Sequence, residues 1–253
     1  MSDELEKFLK ENTNPWKKIQ EPYYILEDEK EAAQNKQYKI HTELPPQPFQ
    51  GNPEAPIWVL SLNPGYSEKT DKYPVPDVEY YKNHEERKKA MLLQLTFSQP
   101  AENNHWHYVL DNEDGNYSKK WFMDHFIKNR DMGLDIGNID KNIFILQAFG
   151  YASDTFNGNL NKMVKSFPHM VYAQNLARWG LAHDRKIVIA RCKDYWLDIL
   201  RKSEYFSEKK ENIYFLSSPQ NISFSAENIV NWNEYQQIKK KSADGLKKII
   251  KNK

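Results

Sequence analysis

Four short apolar runs constrain this chain more than any other feature. They are Ile57–Leu62 (IWVLSL), Ile143–Phe149 (IFILQAF), Lys186–Ala190 (KIVIA) and Ile213–Ser217 (IYFLS). Each run is continuous rather than alternating. That pattern belongs to strands buried on both faces, as in a parallel sheet covered by helices. Parallel strands need long crossovers, usually helical. Met163 to Gly180 reads as one such helix, with Pro168 near its start and Gly180 at its end. Asp194 to Tyr205 reads as another, with Trp196, Leu197 and Leu200 at helical spacing. The predicted fold is therefore α/β, a three-layer α/β/α sandwich with a central four-stranded, mostly parallel sheet.

The 253 residues are read as a single domain, 1–253, with two additions. Residues 1–50 form an N-terminal extension, a helix followed by the Pro-rich arm LPPQPF. Residues 66–141 form a long insert that carries YPVP, a charged helix around Glu85–Leu95 and the aromatic stretch HWHY, His105–Tyr108. No internal repeat is present. Although only 39% of residues are hydrophobic, 13% are aromatic, which is enough to build a core on Trp, Tyr and Phe.

Several function classes are disfavoured. No apolar run approaches the ~20 residues of a membrane helix, and the start, MSDELEKFLKEN, has no apolar signal core. The expectation is a cytoplasmic protein with no membrane partner. Cys192 is the only cysteine, which excludes an internal disulfide and any multi-cysteine metal site. His105 and His107 alternate but lack acidic or cysteine partners at ligand spacing, so no metal is expected. Neither a G-x-x-x-x-G-K-[ST] phosphate loop nor a G-x-S-x-G elbow occurs, and an isolated serine such as Ser153 has little weight as a nucleophile. The net charge of +1 gives no global support for a nucleic-acid partner, but Lys239 to Lys253 is locally basic.

In open α/β sheets, ligands bind beyond the carboxyl ends of the strands. Four loops follow the four runs there. The first is Asn63-Pro64-Gly65-Tyr66, and the second, after LQAF, holds Gly150, Tyr151, Ser153 and Asp154. The third is Arg191-Cys192-Lys193, and the fourth is Ser217-Ser218-Pro219-Gln220-Asn221-Ile222-Ser223. Small polar and turn residues in two of them suit backbone amides approaching phosphate. An Asn at such a corner has two readings: it caps the turn through its side chain, or it carries chemistry.

LNPG after the first run, paired with SSPQNIS after the last, resembles the uracil-DNA glycosylase superfamily. The resemblance is closest to the mismatch-specific uracil/thymine branch, which carries Asn-Pro-Gly at the end of its first strand. The stretch PFQGNPEAPIWVLSLNPGYS also looks like a group of bacterial proteins placed in that superfamily. The likeness spans about Pro48 to Ser225. It implies a monofunctional glycosylase that flips an unusual base out of DNA and hydrolyses its N-glycosidic bond without a cofactor. Asn63 matches the water-holding position. Gln147 matches a base-reading amide, and Tyr66 is the first choice to stack on the base, ahead of Phe97 and Trp106. Ser218 and Asn221 would hold phosphate or sugar, and Arg191 and Lys193 would face the DNA backbone. Ile222, ahead of Phe224, would fill the gap left by the flipped base.

Two departures stand out. The fourth loop opens Ser217-Ser218-Pro219 where the family has His-Pro-Ser, so the histidine that stabilises a leaving uracil anion is missing. Gln147 is one methylene longer than the family's Asn, so the pocket would fit a different base or hold uracil differently. Two other readings follow: a non-catalytic nucleic-acid-binding protein on the same fold, or an unrelated α/β nucleotide-binding hydrolase. The sequence leaves open the base, the strandedness of the DNA and the oligomeric state.

Overall fold

The structure is a computed structural model. It describes residues 1–20, 22–23, 25, 40–64, 85–100, 103–104, 139–153, 167–218, 224–225 and 227–240. Among these, the strands in chain order are β1 Ile40–His41, β2 Phe49–Gln50, β3 Ile57–Ser61, β4 Ile143–Gln147, β5 Ala152–Ser153, β6 Lys186–Ile189, β7 Ile213–Leu216 and β8 Ile229–Asn231. The helices are α1 Asp3–Glu11, α2 Glu85–Thr96, α3 Ile139–Asn142, α4 Pro168–Ala182, α5 Lys193–Leu200, α6 Phe206–Lys209 and α7 over 232–240.

The fold is mixed α/β. One sheet has six strands in the order β2-β4-β3-β6-β7-β8. The four apolar runs form its centre, and β4, β3, β6 and β7 are mutually parallel. The expected four strands are therefore corrected to six. Strand β2 adds antiparallel to β4, and β8 adds antiparallel to β7. These edges are two and three residues long, too short to show any periodicity in the sequence. A separate two-stranded sheet pairs β1 with β5.

Register explains why the runs are apolar throughout. Trp58 and Leu60 share one sheet face with Phe144, Leu146, Ile187, Ile189, Ile213 and Phe215, and all lie in one core. Residues of α1, α4 and α5, including Leu5, Leu176 and Trp196, complete that core. Alternate residues point the other way, and Val59, Ile145 and Val188 are buried there as well. Both faces are thus withdrawn from water, which removes the polar alternation of a one-sided sheet.

Described residues among the first 50 pack into the core. Leu5, Phe8 and Trp16 lie in the core, and Phe49 stacks on Phe97 with ring centroids 4.9 Å apart. Two helix boundaries also differ from the sequence reading. The helix expected from Asp194 to Tyr205 stops at Leu200, turns, and resumes as the short α6. Pro168 occupies the first position of α4, where its missing N–H costs nothing, and residues 163–166 lie outside the described residues. The helix continues two residues past Gly180 to Ala182.

Gly180 serves packing rather than termination. A Cβ built there would lie 2.8 Å and 2.9 Å from ring carbons of Trp58. That indole is fully buried and is fixed by its Nε1–H donating to the Ala55 carbonyl at 3.1 Å. Alanine gains about 1 kcal/mol of helix propensity over glycine, against roughly 1–3 kcal/mol for overpacking. Gly180→Ala is expected to lower the melting temperature, with a net loss of up to about 2 kcal/mol. A variant that melts at or above the parent would mean that the indole yields and the close approach does not govern this helix.

Candidate functional site

The carboxyl ends of β4, β3, β6 and β7 lie on one sheet edge, because these strands are parallel. The chain is sewn together there by backbone bonds that continue past the strands. The Ser61 carbonyl accepts from Ala148 N–H at 3.2 Å and from the Trp196 indole N–H at 2.9 Å. The Leu60 carbonyl accepts from Ala190 N–H at 2.9 Å and Arg191 N–H at 3.3 Å. The Leu62 carbonyl accepts from Phe149 N–H at 2.8 Å. Three of the four candidate loops therefore leave from one hydrogen-bonded knot.

Asn63 is half-buried at this knot. Its Nδ2 donates to the Pro64 carbonyl at 2.8 Å and to Ser153 Oγ at 2.8 Å. Pro64 O can only accept, so the amide nitrogen must face it, and the orientation of the side chain is settled. Both amide hydrogens are then occupied, and Oδ1 is the atom turned to other partners. Ser153, itself buried, is further held by its N–H donating to Pro64 O at 3.3 Å. Ser153 is a partner of Asn63 that sequence reasoning missed. It stands 90 positions from Asn63, and no local signal links the two.

Gln147 ends β4 directly beside Ser61 of β3. It is only 7% exposed, and its Oε1 is buried without a hydrogen-bond partner. An unmade hydrogen bond of this kind is expensive in a folded protein. Asn63 lies two residues beyond Ser61, so it and Gln147 are diagonal neighbours on adjacent strands, roughly 8 Å apart.

The basic residues follow β6, on the other side of β3. Cys192 takes a left-handed backbone conformation, φ 52°, ahead of α5. Burial pushes its thiol pKa up, and the nearby Arg191 charge works the other way. Lys193 Nζ sits 5.6 Å from the centre of the Tyr235 ring, and Lys239 Nζ sits 5.5 Å from the same centre. The Tyr235 ring in turn stacks on Phe215 of β7 at 3.9 Å. Burial lowers the Lys193 pKa, with a smaller lowering from Lys239 opposed by Asp194. Two ammonium groups therefore share one aromatic ring near the site edge, each with N–H donors to spare.

The start of the fourth loop is fastened. Asn228, buried, accepts at Oδ1 from Ser217 Oγ at 2.8 Å and from Ser218 N–H at 3.0 Å, and its own carbonyl accepts from Ser217 N–H at 2.7 Å. The Ser218 N–H is thereby committed to Asn228. Across the edge, Ser218 stands two strands from Asn63, about 10 Å.

Other expected residues separate into two groups. Tyr66, Asn221 and Ile222 lie outside the described residues, as do Trp106 and both histidines of HWHY. Phe97 is core, stacked on Phe49, and is removed as a base-stacking candidate. Phe224 is buried, which removes it as an alternative wedge. Among the described residues, no group of three or more His, Cys, Asp or Glu is placed to hold a metal ion, and no helix is long and apolar enough to cross a membrane. No family model matches the chain, and neither curated proteins nor solved structures give a match.

The fastening by Asn228 has a measurable consequence. Asn228→Ala removes the acceptor shared by Ser217 Oγ and the half-buried Ser218 N–H, at about 1 kcal/mol. The expected result is a lower melting temperature together with faster amide exchange at Ser218. Unchanged exchange there would show that the loop is held by other contacts.

Proposed function

We propose that this protein is a DNA glycosylase-like hydrolase that flips an unusual base out of DNA and hydrolyses its N-glycosidic bond. The observation that carries the reading is the Asn63 amide, oriented by Pro64 O and Ser153 Oγ, at the strand end next to Gln147. The finer fold assignment belongs with it: a three-layer α/β/α sandwich of the uracil-DNA glycosylase kind. Burial of both faces of the sheet supports that assignment.

In this mechanism, the bond between base and sugar breaks and its electron pair leaves with the base. The sugar carbon becomes cation-like, and a water oxygen bonds to it. One water proton is released and the departing base takes up a proton, so the products are free base and an abasic sugar. A neutral amide is a poor base, so Asn63 works by placement: its Oδ1 accepts from the water and turns a lone pair toward the sugar carbon. Gln147 reads the base edge with its amide. Tyr66 stacks on the base, contributing about 1–3 kcal/mol. Ile222 fills the vacated stack, and Ser218, Asn221, Arg191 and Lys193 face the backbone, Ser218 through groups other than its N–H. The reaction needs no cofactor.

A second reading is a nucleic-acid binder without catalysis. The specific observation in its favour is the fourth loop, where Ser217 and Ser218 spend hydrogen-bonding groups on Asn228 rather than offering them to a ligand. Release of base from duplexes carrying a panel of damaged bases, scored as alkali-labile abasic sites, separates the two readings.

Asn63 provides the sharpest test. Asn63→Ala should lower single-turnover base release by ~10²- to 10⁴-fold with DNA affinity nearly intact, because placement acts mainly in the transition state. Asn63→Asp should not restore it, because a carboxylate cannot donate to Pro64 O. If activity falls only in proportion to stability, Asn63 is a corner of the fold. On the DNA side, binding should weaken steeply as salt rises, and Lys193→Ala should reduce the slope of log K against log salt by about 1. An unchanged slope would remove Lys193 from the interface.

A further inference from the structure

Gln50 presents a second buried amide beside the one already assigned. Strand β2 runs antiparallel to β4, with Phe49 opposite Leu146 and Gln50 opposite Ile145. Phe49 and Leu146 face the aromatic core. Strand alternation therefore turns Gln50, Ile145 and Gln147 to the opposite face. Gln50 and Gln147 are diagonal neighbours across two paired strands, a relation that long side chains can span.

The two glutamines share an unusual state. Gln50 is 5% exposed and Gln147 is 7% exposed, and the Oε1 of each is buried with no hydrogen-bond partner. Gln50 is oriented by its Nε2 donating to Gln47 Oε1 at 3.4 Å, a long bond that leaves its oxygen unsatisfied. Folding alone does not favour this arrangement. A leucine at either position would fill the same space without the penalty of a lost hydrogen bond. Two unmet acceptors on one face of the sheet, Gln147 at the carboxyl end of β4 and Gln50 beside Ile145 two residues inward, match a ligand with two neighbouring N–H donors.

Nucleobase edges differ in this respect. Uracil presents one ring N–H between two carbonyls, and hypoxanthine presents one ring N–H beside a carbonyl and a C–H. A second glutamine oxygen would face a carbonyl or a carbon in either case. A 2-amino-6-oxopurine presents a ring N–H directly beside an exocyclic amino group. We infer that Gln50 and Gln147 together form a two-acceptor base reader that selects an altered base with the guanine-type donor edge. The inference rests on the base-flipping reading above and names its substrate class.

The test uses the full chain and three duplexes that differ at one central nucleotide. One carries 8-oxoguanine, one carries 8-oxohypoxanthine, which lacks only the 2-amino group, and one carries uracil. Binding is followed by fluorescence anisotropy and base release by single-turnover assay. The expected result is that 8-oxoguanine is preferred over 8-oxohypoxanthine by about tenfold or more, since a site built to accept a donor rejects the analogue without it. That ratio should collapse in Gln50→Leu and in Gln50→Met, both of which remove the acceptor at similar volume. Both variants should melt at or above the parent, because an unsatisfied buried oxygen has been removed. If the parent treats the two purines alike, or the ratio survives in both variants, the inference is overturned, and release of uracil would still sustain the glycosylase reading. If none of the three duplexes is bound, the reading and the inference fall together.

Discussion

The last carbonyl of β3 is the point on which the site depends. Ser61 O takes one hydrogen from the backbone of the segment leaving β4 and one from the indole of Trp196 in α5. A carbonyl has two lone pairs, and here both are used, by groups far apart in sequence. The first bond sets where the β4 loop begins. The second fixes the helix that follows β6 against the end of β3. Asn63, two residues on, therefore starts from a backbone position held on both sides. Placement of a side chain to within tenths of an ångström requires such support, because a loop tethered at one end would wander by more than a hydrogen bond tolerates.

Much of this architecture was legible in the sequence, for a definite reason. Strands buried on both faces must be apolar at every position, and IWVLSL, IFILQAF, KIVIA and IYFLS carry that signature whatever surrounds them. The edge strands carry none. Phe49–Gln50 and Ile229–Asn231 become strands only because β4 and β7 offer unpaired edges. The same divide runs through the site. Asn63 announces itself by its place in a turn after a strand. Ser153 and Asn228 do not, because their importance lies in contacts that only the folded chain creates. Gly180 is an instructive intermediate: glycine near a helix end reads as a stop, yet its meaning is the indole of Trp58 lying where a Cβ would be.

Buried polar groups divide into two kinds in this molecule. Asn14 donates to the Leu95 carbonyl at 2.8 Å and accepts from Trp16 N–H at 3.0 Å, so its burial costs little and it joins the N-terminal segment to α2. Asn228 is used just as fully. Gln50 and Gln147 are the opposite case, each with an oxygen that meets no donor. Fully satisfied amides specify a fold, whereas unsatisfied ones lower its stability. Trp16 Nε1 and Tyr172 OH in the aromatic core are also unmet, but Gln50 and Gln147 lie on neighbouring strands and share one sheet face. The concentration of unmet acceptors on β2 and β4, beside a knot whose own bonds are all made, marks the boundary between what the fold needs and what it offers.

The chemistry available at the corner follows from the kind of group present. Asn63, Ser153, Gln147 and Gln50 carry dipoles and no charge at ordinary pH. A site made of these groups cannot take a proton from water as a carboxylate or imidazole does. In the proposed reaction it would act through fixed dipoles already oriented before a reactant arrives, so that reorientation costs nothing at the moment of reaction. Cleavage of a glycosidic bond suits that limitation, since the positive charge develops on the sugar and the negative charge on the base, and neither demands a strong base. On the proposed reading, the two hydrogen bonds that hold the Asn63 amide would set its aim. A group that works by direction alone has no reactivity to fall back on, so in the proposed reaction its contribution would be only as large as the precision with which Pro64 O and Ser153 Oγ aim it.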